Sequence, residues 1–346
     1  MKLIAIAAAA LAAALLLCEG GLRAAKVGAP TWYKPDPQLG WSLRAHKRGR
    51  EGRSYVWINP SGQRDHERSL DKPEGVYRIA VLGDGYSEAI PLALDQTWWW
   101  QLPGKLERCG FQPGKRVEAL NFGVAGYGTA QEYVMLESTA MRYQPDLVLL
   151  QFANRDDVMD NSFALATEKE RPFFMLDERG VLRIDDSFAT SPPFERRAQF
   201  RYELATEIVD HSRILQVARK GLPIVGDAHA NQGSASQVLA PPRDRVWEEA
   251  WRVTEALIAK TRDYAARNGA RLAVVTVPHP QQMQQDRSYP DQRLEAFGGR
   301  QGISVITLAP QMRQSSEKPY SPNGDWTPAG HRLAAEVIAQ GLCAQK

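Results

Sequence analysis

The feature that most constrains this chain is a regular alternation of short apolar runs with helical segments. The apolar runs lie at 77–82, 117–122, 146–152, 271–277 and 304–308. A short run that is apolar at nearly every position predicts a strand buried on both faces, as in a parallel sheet. Strands that alternate with helices predict a doubly wound, flavodoxin-like α/β fold, with a five-stranded parallel sheet and helices on both faces.

One interruption breaks this alternation after the third predicted strand. The segment at about 161–242 contains a predicted hairpin at 173–184, a predicted helix at 199–220 and a link rich in Gly, Ser and Ala at 231–236. The alternation then resumes with a predicted helix. We therefore expect a single α/β domain at 76–346 that carries an insertion, rather than two separate domains.

The N-terminal residues predict where the protein is located. Lys2 precedes a nearly uninterrupted apolar run, Leu3–Cys18, and this pattern is typical of an export signal. We expect residues 1–23 to form a signal anchor that tethers an extracytoplasmic or periplasmic protein to the inner membrane, with a cleaved signal peptide as the alternative. Leu17 stands where a bacterial lipoprotein signal has a small residue, which argues against lipidation. The polar stretch at 24–75 is predicted to dock on the domain as a collar.

The composition agrees with a globular domain and argues against nucleic acid as a partner. Hydrophobic residues make up 43% of the 346 residues, which is enough apolar content for a full core. The net charge is +3, and the basic residues are dispersed along the chain. A nucleic-acid site needs a clustered basic surface, so we expect no nucleic-acid partner.

Glycine and polar residues collect where the predicted strands end. These segments are Gly83–Ser87, Asn121–Gly128, Asn154–Asp157, Pro278–Pro280 and Asn323–His331. Because functional groups in a doubly wound sheet gather at the carboxyl edge, we expect the segments to form one pocket. The residues expected to line it are Asp84, Gly85, Gly123, Asn154, Asp156, Asp157, His279 and Asp325.

The order and spacing of these segments resemble those of the SGNH (GDSL) hydrolases, from position 77 to the C-terminus. The segment 58–64 is also similar to one that commonly precedes such domains. The resemblance implies the fold of an ester hydrolase that uses no cofactor. A serine after Gly-Asp would be the nucleophile, a glycine and an asparagine would donate to the oxyanion, and a histidine before the last helix would be the base.

In this chain the four positions are occupied by Gly85, Gly123, Asp156 and Asp325. Gly85 has no side chain to attack an ester, the Asp156 carboxylate would repel an oxyanion, and an aspartate replaces the base. These substitutions predict a catalytically inactive protein, a pseudoenzyme, with a binding or accessory role at the bacterial envelope. The resemblance implies an acylated glycan or another acyl ester as ligand, and an envelope protein is a further expected partner.

Two alternatives remain open. The first is a serine esterase or acetyltransferase with a rearranged site, in which Ser87 is the nucleophile and His279 or His331 is the base. Ser87 also fits the role of a helix-capping serine, and each histidine fits a packed or backbone-bonded role. The second alternative is a calcium or magnesium site formed by the strand-end aspartates. Their spacing matches no known metal loop, so we expect no metal.

Two cysteines beyond the signal, Cys109 and Cys343, lie at the ends of the first and last predicted helices of the domain. In a sheet of order 2-1-3-4-5 these helices pack on the same face and end at the same pole. We therefore predict a disulfide bond between the two residues, with Cα atoms within about 7 Å. Closing so long a loop contributes on the order of 4 kcal/mol to the free energy of unfolding.

Overall fold

The computed structural model describes residues 1–52, 54–219, 237–284 and 289–344. Its strands are β1 Tyr33–Asp36, β2 Gly40–Leu43, β3 Arg48–Glu51, β4 Ser54–Trp57, β5 Val76–Leu82, β6 Arg116–Asn121, β7 Leu147–Ala153, β8 Phe173–Leu176, β9 Leu182–Asp185, β10 Arg271–Val277 and β11 Ser304–Thr307. Its helices are α1 Lys2–Ala24, α2 Gly85–Glu88, α3 Trp98–Arg108, α4 Thr129–Ser138, α5 Asp157–Asp160, α6 Pro192–Arg197, α7 Phe200–His211, α8 Arg213–Arg219, α9 Arg245–Arg267, α10 Tyr289–Gln301, α11 Ala309–Gln314 and α12 Pro328–Cys343.

The central sheet has five parallel strands in the order β6-β5-β7-β10-β11. The predicted doubly wound sheet of order 2-1-3-4-5 is therefore confirmed. In β5, Ile79 pairs with Ala119 on one side and with Leu147 on the other. Every residue of β5 and β7 is buried, because helices cover both faces of the sheet. Burial on both faces explains why these runs are continuously apolar.

The core has one layer on each face of the sheet. On one face, Trp98 and Trp99 of α3 are fully buried together with apolar residues of α12. On the other face, Leu136 of α4 and Trp251 of α9 fill the space above the strands. The side chain of Asp244 starts α9 by accepting a hydrogen bond from the Trp247 N–H at 3.0 Å.

The first and last helices of the domain, α3 and α12, lie side by side on the same face of the sheet. Cys109 follows α3 directly, and Cys343 is the last residue of α12. The two residues form a disulfide bond, and their Cα atoms are 6.4 Å apart. The predicted pairing is therefore present in the structure.

The N-terminal helix α1 is longer than the apolar run that predicted it. It comprises 23 residues, and none of them is buried against the rest of the protein. Its length and composition are sufficient to cross a membrane, with a mean hydropathy of 2.3 over its most apolar window.

The collar at 24–75 consists of two antiparallel hairpins, β1–β2 and β3–β4, and an irregular segment that leads to β5. The irregular segment is part of the core rather than a surface lid. Arg64 is 2% exposed, and its guanidinium donates to the main-chain carbonyls of Glu88 and Leu92. Arg64 therefore joins this segment to the end of the short helix α2 and to the turn that follows it.

The insertion contains the predicted hairpin, formed by β8 and β9. The predicted helix at 199–220 is instead two helices, α7 and α8, because Ser212 between them is extended. The Glu19 carboxylate accepts hydrogen bonds from the N–H groups of Arg213 and Ile214, at 2.9 and 3.1 Å, and so provides the N-terminal partner of α8. The link at 231–236 lies outside the described residues.

Candidate functional site

The carboxyl edge of the sheet begins where β5 ends and the chain turns into α2. Asp84 caps this helix, since its Oδ1 accepts a hydrogen bond from the Tyr86 N–H at 2.9 Å. Gly85 is exposed, and a Cβ placed on it would lie 3.7 Å from the Ala125 Cβ, an ordinary van der Waals distance. The edge therefore has room for a side chain at the nucleophile position of the family and carries none.

Ser87 lies below this edge and is fully buried. Its hydroxyl donates to the Gln151 Oε1 at 2.8 Å, and its carbonyl accepts from the Trp99 Nε1 at 2.9 Å. Both polar groups of Ser87 thus have partners inside the core. The rearranged site would need this hydroxyl at the surface beside a histidine, and its observed partner is an amide oxygen.

His331 is buried in the first turn of α12. Its Nδ1 accepts a hydrogen bond from the main-chain N–H of Trp98 at 3.3 Å, and the ring meets Trp326 edge to face. Burial, followed by the nearby Arg64 cation, lowers the pKa of His331 to about 3. The imidazole is therefore neutral at physiological pH and joins α12 to α3. Ser87 and His331 each bind a different partner.

His279 lies at the edge itself and is half-buried. Its Nε2 is 3.5 Å from the Arg155 Nη1, and the Arg155 Nε donates to the Asp156 Oδ1 at 2.6 Å. Burial and then the Arg155 cation lower the pKa of His279. Arg155 thus lies between His279 and Asp156. Its guanidinium neutralises the Asp156 carboxylate.

The loop that carries Asp325 is held to α2 by Tyr86. The Tyr86 hydroxyl donates to the Gly324 carbonyl at 2.9 Å, and its ring centroid is 4.9 Å from that of Trp326. Asp325 itself is exposed. Asp325, at the predicted base position, therefore lies in solvent, and Tyr86 joins its loop to α2.

Close packing explains why position 123 is a glycine. A Cβ on this residue would lie 2.5 Å from the Ser87 Cβ, so only glycine fits, and its N–H donates to the Asn121 Oδ1 at 3.0 Å. An N–H with an intramolecular acceptor is not a free oxyanion donor. Three residues further on, Gly126 is partly exposed with a φ of +77°. Within the described part of the chain, its N–H has no hydrogen-bond acceptor.

Asn154 also lies beneath the surface of the predicted pocket. It is fully buried, and its Nδ2 donates to the Asp291 Oδ1 at 2.7 Å and to the Gln282 Oε1 at 3.2 Å. These bonds tie the end of β7 to α10. The observed role of Asn154 is to connect elements of the fold.

Four carboxylic acids lie close together below the edge: Asp84, Glu132, Asp157 and Asp160. Burial is the main cause that raises the pKa of Asp84 to about 7 and that of Asp160 to about 6. Burial and then the repulsion of neighbouring carboxylates hold the pKa values of Glu132 and Asp157 well above their usual range. Among the described residues, no group of three or more His, Cys, Asp or Glu side chains is arranged to hold a metal ion.

Four buried or mostly buried acidic or amide residues at this site were not predicted from the sequence: Glu88, Glu132, Gln151 and Asp160. The Glu88 carboxylate accepts from the Tyr33 hydroxyl at 2.8 Å, and burial raises its pKa to about 7. Two sequence features could have identified such residues. One is a polar residue inside an otherwise apolar strand, as at Gln151, and the other is a glutamate within a buried helical turn.

A cavity of about 400 Å³ lies beside the edge, between the β3–β4 hairpin and the domain. Its lining residues are Arg48, Tyr55, Trp57, Arg64, Asp65 and Leu94. The Arg48 guanidinium carbon is 5.6 Å from the centroid of the Trp57 ring. Within the described residues, the buried Nε1 of Trp57 has no hydrogen-bond acceptor. No site was predicted in this part of the collar.

Comparison with known proteins found no matching family model and no matching relative among curated proteins. Solved structures do match. A GDSL-like lipase from Bacteroides thetaiotaomicron is 12% identical, with a TM-score of 0.41 over 81% of this chain and 93% of the lipase. A catalytic mutant of an acetylxylan esterase from Geobacillus stearothermophilus is 8% identical, with a TM-score of 0.42 over 77% of this chain and 94% of the esterase.

A further match is a two-domain esterase active on acetylated mannans, which is 11% identical with a TM-score of 0.39. That match covers 77% of this chain and 49% of the esterase. None of these similarities assigns a role to a residue of this chain. The observed strand order agrees with the SGNH-like fold that the sequence motifs imply.

Proposed function

We propose that this protein is a catalytically inactive SGNH-like protein that binds an acylated glycan at the outer face of the inner membrane. One observation carries the proposal. The nucleophile position is Gly85, and the nearest serine in sequence, Ser87, is fully buried with its hydroxyl bonded to Gln151. Serine catalysis needs a hydroxyl that reaches both substrate and base, and neither residue supplies one.

The base side of the edge supports the same proposal. Asp325 stands where the family has a histidine, and its side chain is exposed. His331 is buried and bonded to the Trp98 N–H. Since the nucleophile and base positions are both altered, a single reversion would not restore the catalytic pair.

The proposed ligand class rests on the cavity in the collar as well as on the family resemblance. The cavity combines two aromatic side chains, Tyr55 and Trp57, with the Arg48 guanidinium. Aromatic faces stack against the C–H faces of sugar rings, and guanidinium groups donate to carboxylate or ester oxygens. A carbohydrate that carries acyl or acidic groups fits this combination. An envelope protein that presents or modifies such a glycan is the proposed macromolecular partner.

The proposed location rests on helix α1 and on the disulfide bond. Helix α1 is long and apolar enough to anchor the protein, and the Cys109–Cys343 bond fits an oxidising compartment. We place the domain on the extracytoplasmic side, in the periplasm of a bacterial envelope, with α1 in the inner membrane.

Labelling with a fluorophosphonate probe tests the inactive assignment. We expect no adduct on the wild-type protein by intact mass. A covalent adduct on Ser87 that disappears in His279→Ala would overturn the proposal and identify a relocated serine esterase. The triple variant Gly85→Ser/Asp156→Asn/Asp325→His is the matched positive control, because a side chain at position 85 has ordinary contacts.

Calorimetric titration tests the ligand class separately. We expect an acetylated oligosaccharide to bind more tightly than its deacetylated form, and Trp57→Ala to weaken binding about tenfold. Phe163→Ala, which removes an exposed aromatic residue elsewhere, is the control and should leave binding unchanged. If the two sugars bind equally well, and Trp57→Ala binds them as tightly as the wild type does, the acylated glycan is not the ligand. The assignment of an inactive protein would be unaffected.

A further inference from the structure

Two helices of the insertion, α7 and α8, expose apolar side chains that the rest of the described chain does not cover. On α7 these are Phe200, Leu204 and Ile208, spaced four residues apart, and on α8 they are Leu215 and Val217. The five side chains are between 40 and 76% exposed. Leu215 and Val217 are two residues apart and therefore lie on different sides of α8. Single exposed apolar residues are common on protein surfaces, whereas a stripe with helical spacing, here Phe200, Leu204 and Ile208, marks a face that meets an apolar partner.

The side of α7 that carries Glu207 and Asp210 faces the collar. Asp210 receives the Arg44 Nη1 at 3.0 Å and the Lys47 Nζ at 2.6 Å. Glu207 also pairs with both basic residues. Because Arg44 is buried and Asp210 is nearly so, these ion pairs determine which side of the helix faces the protein. The apolar stripe is thereby held outward.

The junction of α7 and α8 contacts the end of α1. Glu19 accepts from the Arg213 N–H at 2.9 Å and from the Ser212 hydroxyl at 3.1 Å, and the Arg23 Nη2 donates to the His211 carbonyl at 2.7 Å. The apolar run of α1 ends at Cys18, one residue before Glu19. A helix that spans a bilayer leaves the hydrocarbon where its apolar run ends, so this junction lies at the height of the lipid headgroups.

We propose that α7 and α8 lie on the outer surface of the bilayer, with the apolar stripe inserted at the boundary between headgroups and acyl chains. The inference rests on the proposed anchoring of α1 and adds a second contact that fixes the orientation of the domain. Together, α1 and these helices hold the domain at a set angle to the membrane.

Spin labelling of the full chain in vesicles of phosphatidylethanolamine and phosphatidylglycerol tests this orientation. In a Cys18→Ser background, the labelled sites are Leu204→Cys and Ile208→Cys on the stripe, Leu11→Cys in α1, and Leu70→Cys, an exposed leucine beside the amino end of β5. We expect oxygen, which partitions into lipid, to relax the labels at 11, 204 and 208 more strongly than a water-soluble nickel chelate does. The label at 70 should show the reverse.

Two results would overturn the inference in distinguishable ways. If position 11 is in lipid while 204 and 208 behave like 70, α1 is an anchor and the stripe does not touch the bilayer. If position 11 also behaves like 70, the anchoring itself is wrong and the stripe loses its stated partner. The double variant Leu204→Gln/Ile208→Gln adds a readout on an otherwise unlabelled chain. It should speed amide hydrogen exchange across α7 in vesicles and leave exchange across α12 unchanged.

Discussion

The carboxyl edge of the sheet and the layer directly beneath it use polar residues in different ways. At the edge, Gly85 and Asp325 are exposed, and Asp156 pairs with its neighbour Arg155. We define the buried polar layer as Arg64, Ser87, Glu88, Asn121 and Gln151. Its members bond to one another or to main-chain carbonyls, as when the Asn121 Nδ2 donates to the carbonyls of Arg64 and Ser87.

The two regions therefore differ in how strongly the surrounding structure constrains each residue. A serine and a histidine remain near the strand ends, yet both belong to the supporting structure. A buried polar group that lacks a hydrogen-bond partner costs free energy. A substitution that removes such a partner in this layer should therefore lower the free energy of unfolding. The exposed positions of the edge, Gly85 and Asp325, have no such constraint, because they lie in water. The following predictions test the contrast, beginning with the largest effect.

Arg64→Ala should remove about 3–5 kcal/mol from the free energy of unfolding, because it removes the donors of two carbonyls, the buried one of Glu88 and the partly buried one of Leu92, at about 1–3 kcal/mol each. Urea-induced unfolding at neutral pH measures this loss. The control is Arg116→Ala, whose side chain is 60% exposed and which should change stability by at most about 1 kcal/mol. Equal losses for the two variants would remove the distinction between the layer and the surface.

Asp84→Asn should become progressively favourable as the pH rises. The folded-state pKa of Asp84 is about 7 against an ordinary value of 3.8, so the folded protein holds a proton that the unfolded chain releases. Wild-type stability is therefore lost as pH rises from about 4 to about 7, at up to about 1.4 kcal/mol per pH unit. Asparagine carries no such dependence.

Unfolding free energies measured across this pH window, as the difference between Asp84→Asn and the wild type, check the sign. The exposed Asp325→Asn is the matched control and should differ from the wild type by less than about 0.5 kcal/mol throughout. A difference for Asp84→Asn that stays flat with pH would show that the buried carboxyl group does not hold the proton.

A pair of glycine substitutions sharpens the same boundary. Gly123→Ala should cost about 1–3 kcal/mol, because its Cβ would lie 2.5 Å from that of Ser87. Gly85→Ala, with a nearest contact of 3.7 Å, should be neutral or stabilising by about 0.5 kcal/mol. Thermal unfolding of both variants side by side decides the point, and a greater loss at position 85 would reverse the assignment of edge and layer.

The smallest expected effect is that of Tyr86→Phe. It removes one hydrogen bond, from the hydroxyl to the Gly324 carbonyl at 2.9 Å, and keeps the ring on Trp326. We expect a loss of about 1 kcal/mol and faster hydrogen exchange in the loop at 321–327. Unchanged exchange in that loop would mean that Tyr86 does not hold it.

The sequence was sufficient for the sheet and its order, because buried parallel strands produce continuous apolar runs that need no partner to be recognised. It also located the edge residues His279 and Asp156. It did not place Ser87 and His331 in the core, because burial of a polar side chain depends on partners distant in sequence. For Ser87 that partner is Gln151, 64 residues away, and for His331 it is Trp98, 233 residues away. Periodicity carries no information about such pairs.

The disulfide bond also separates the chain into a covalently closed ring and a linear N-terminal part. Cys109 and Cys343 are 234 residues apart, and the chain between them forms a closed ring that contains the insertion and most of the carboxyl edge. Helix α1 and the collar precede this ring. A protease that cuts the ring once therefore leaves both pieces covalently attached to helix α1. The two pieces would migrate as one band without reductant and as two bands with it.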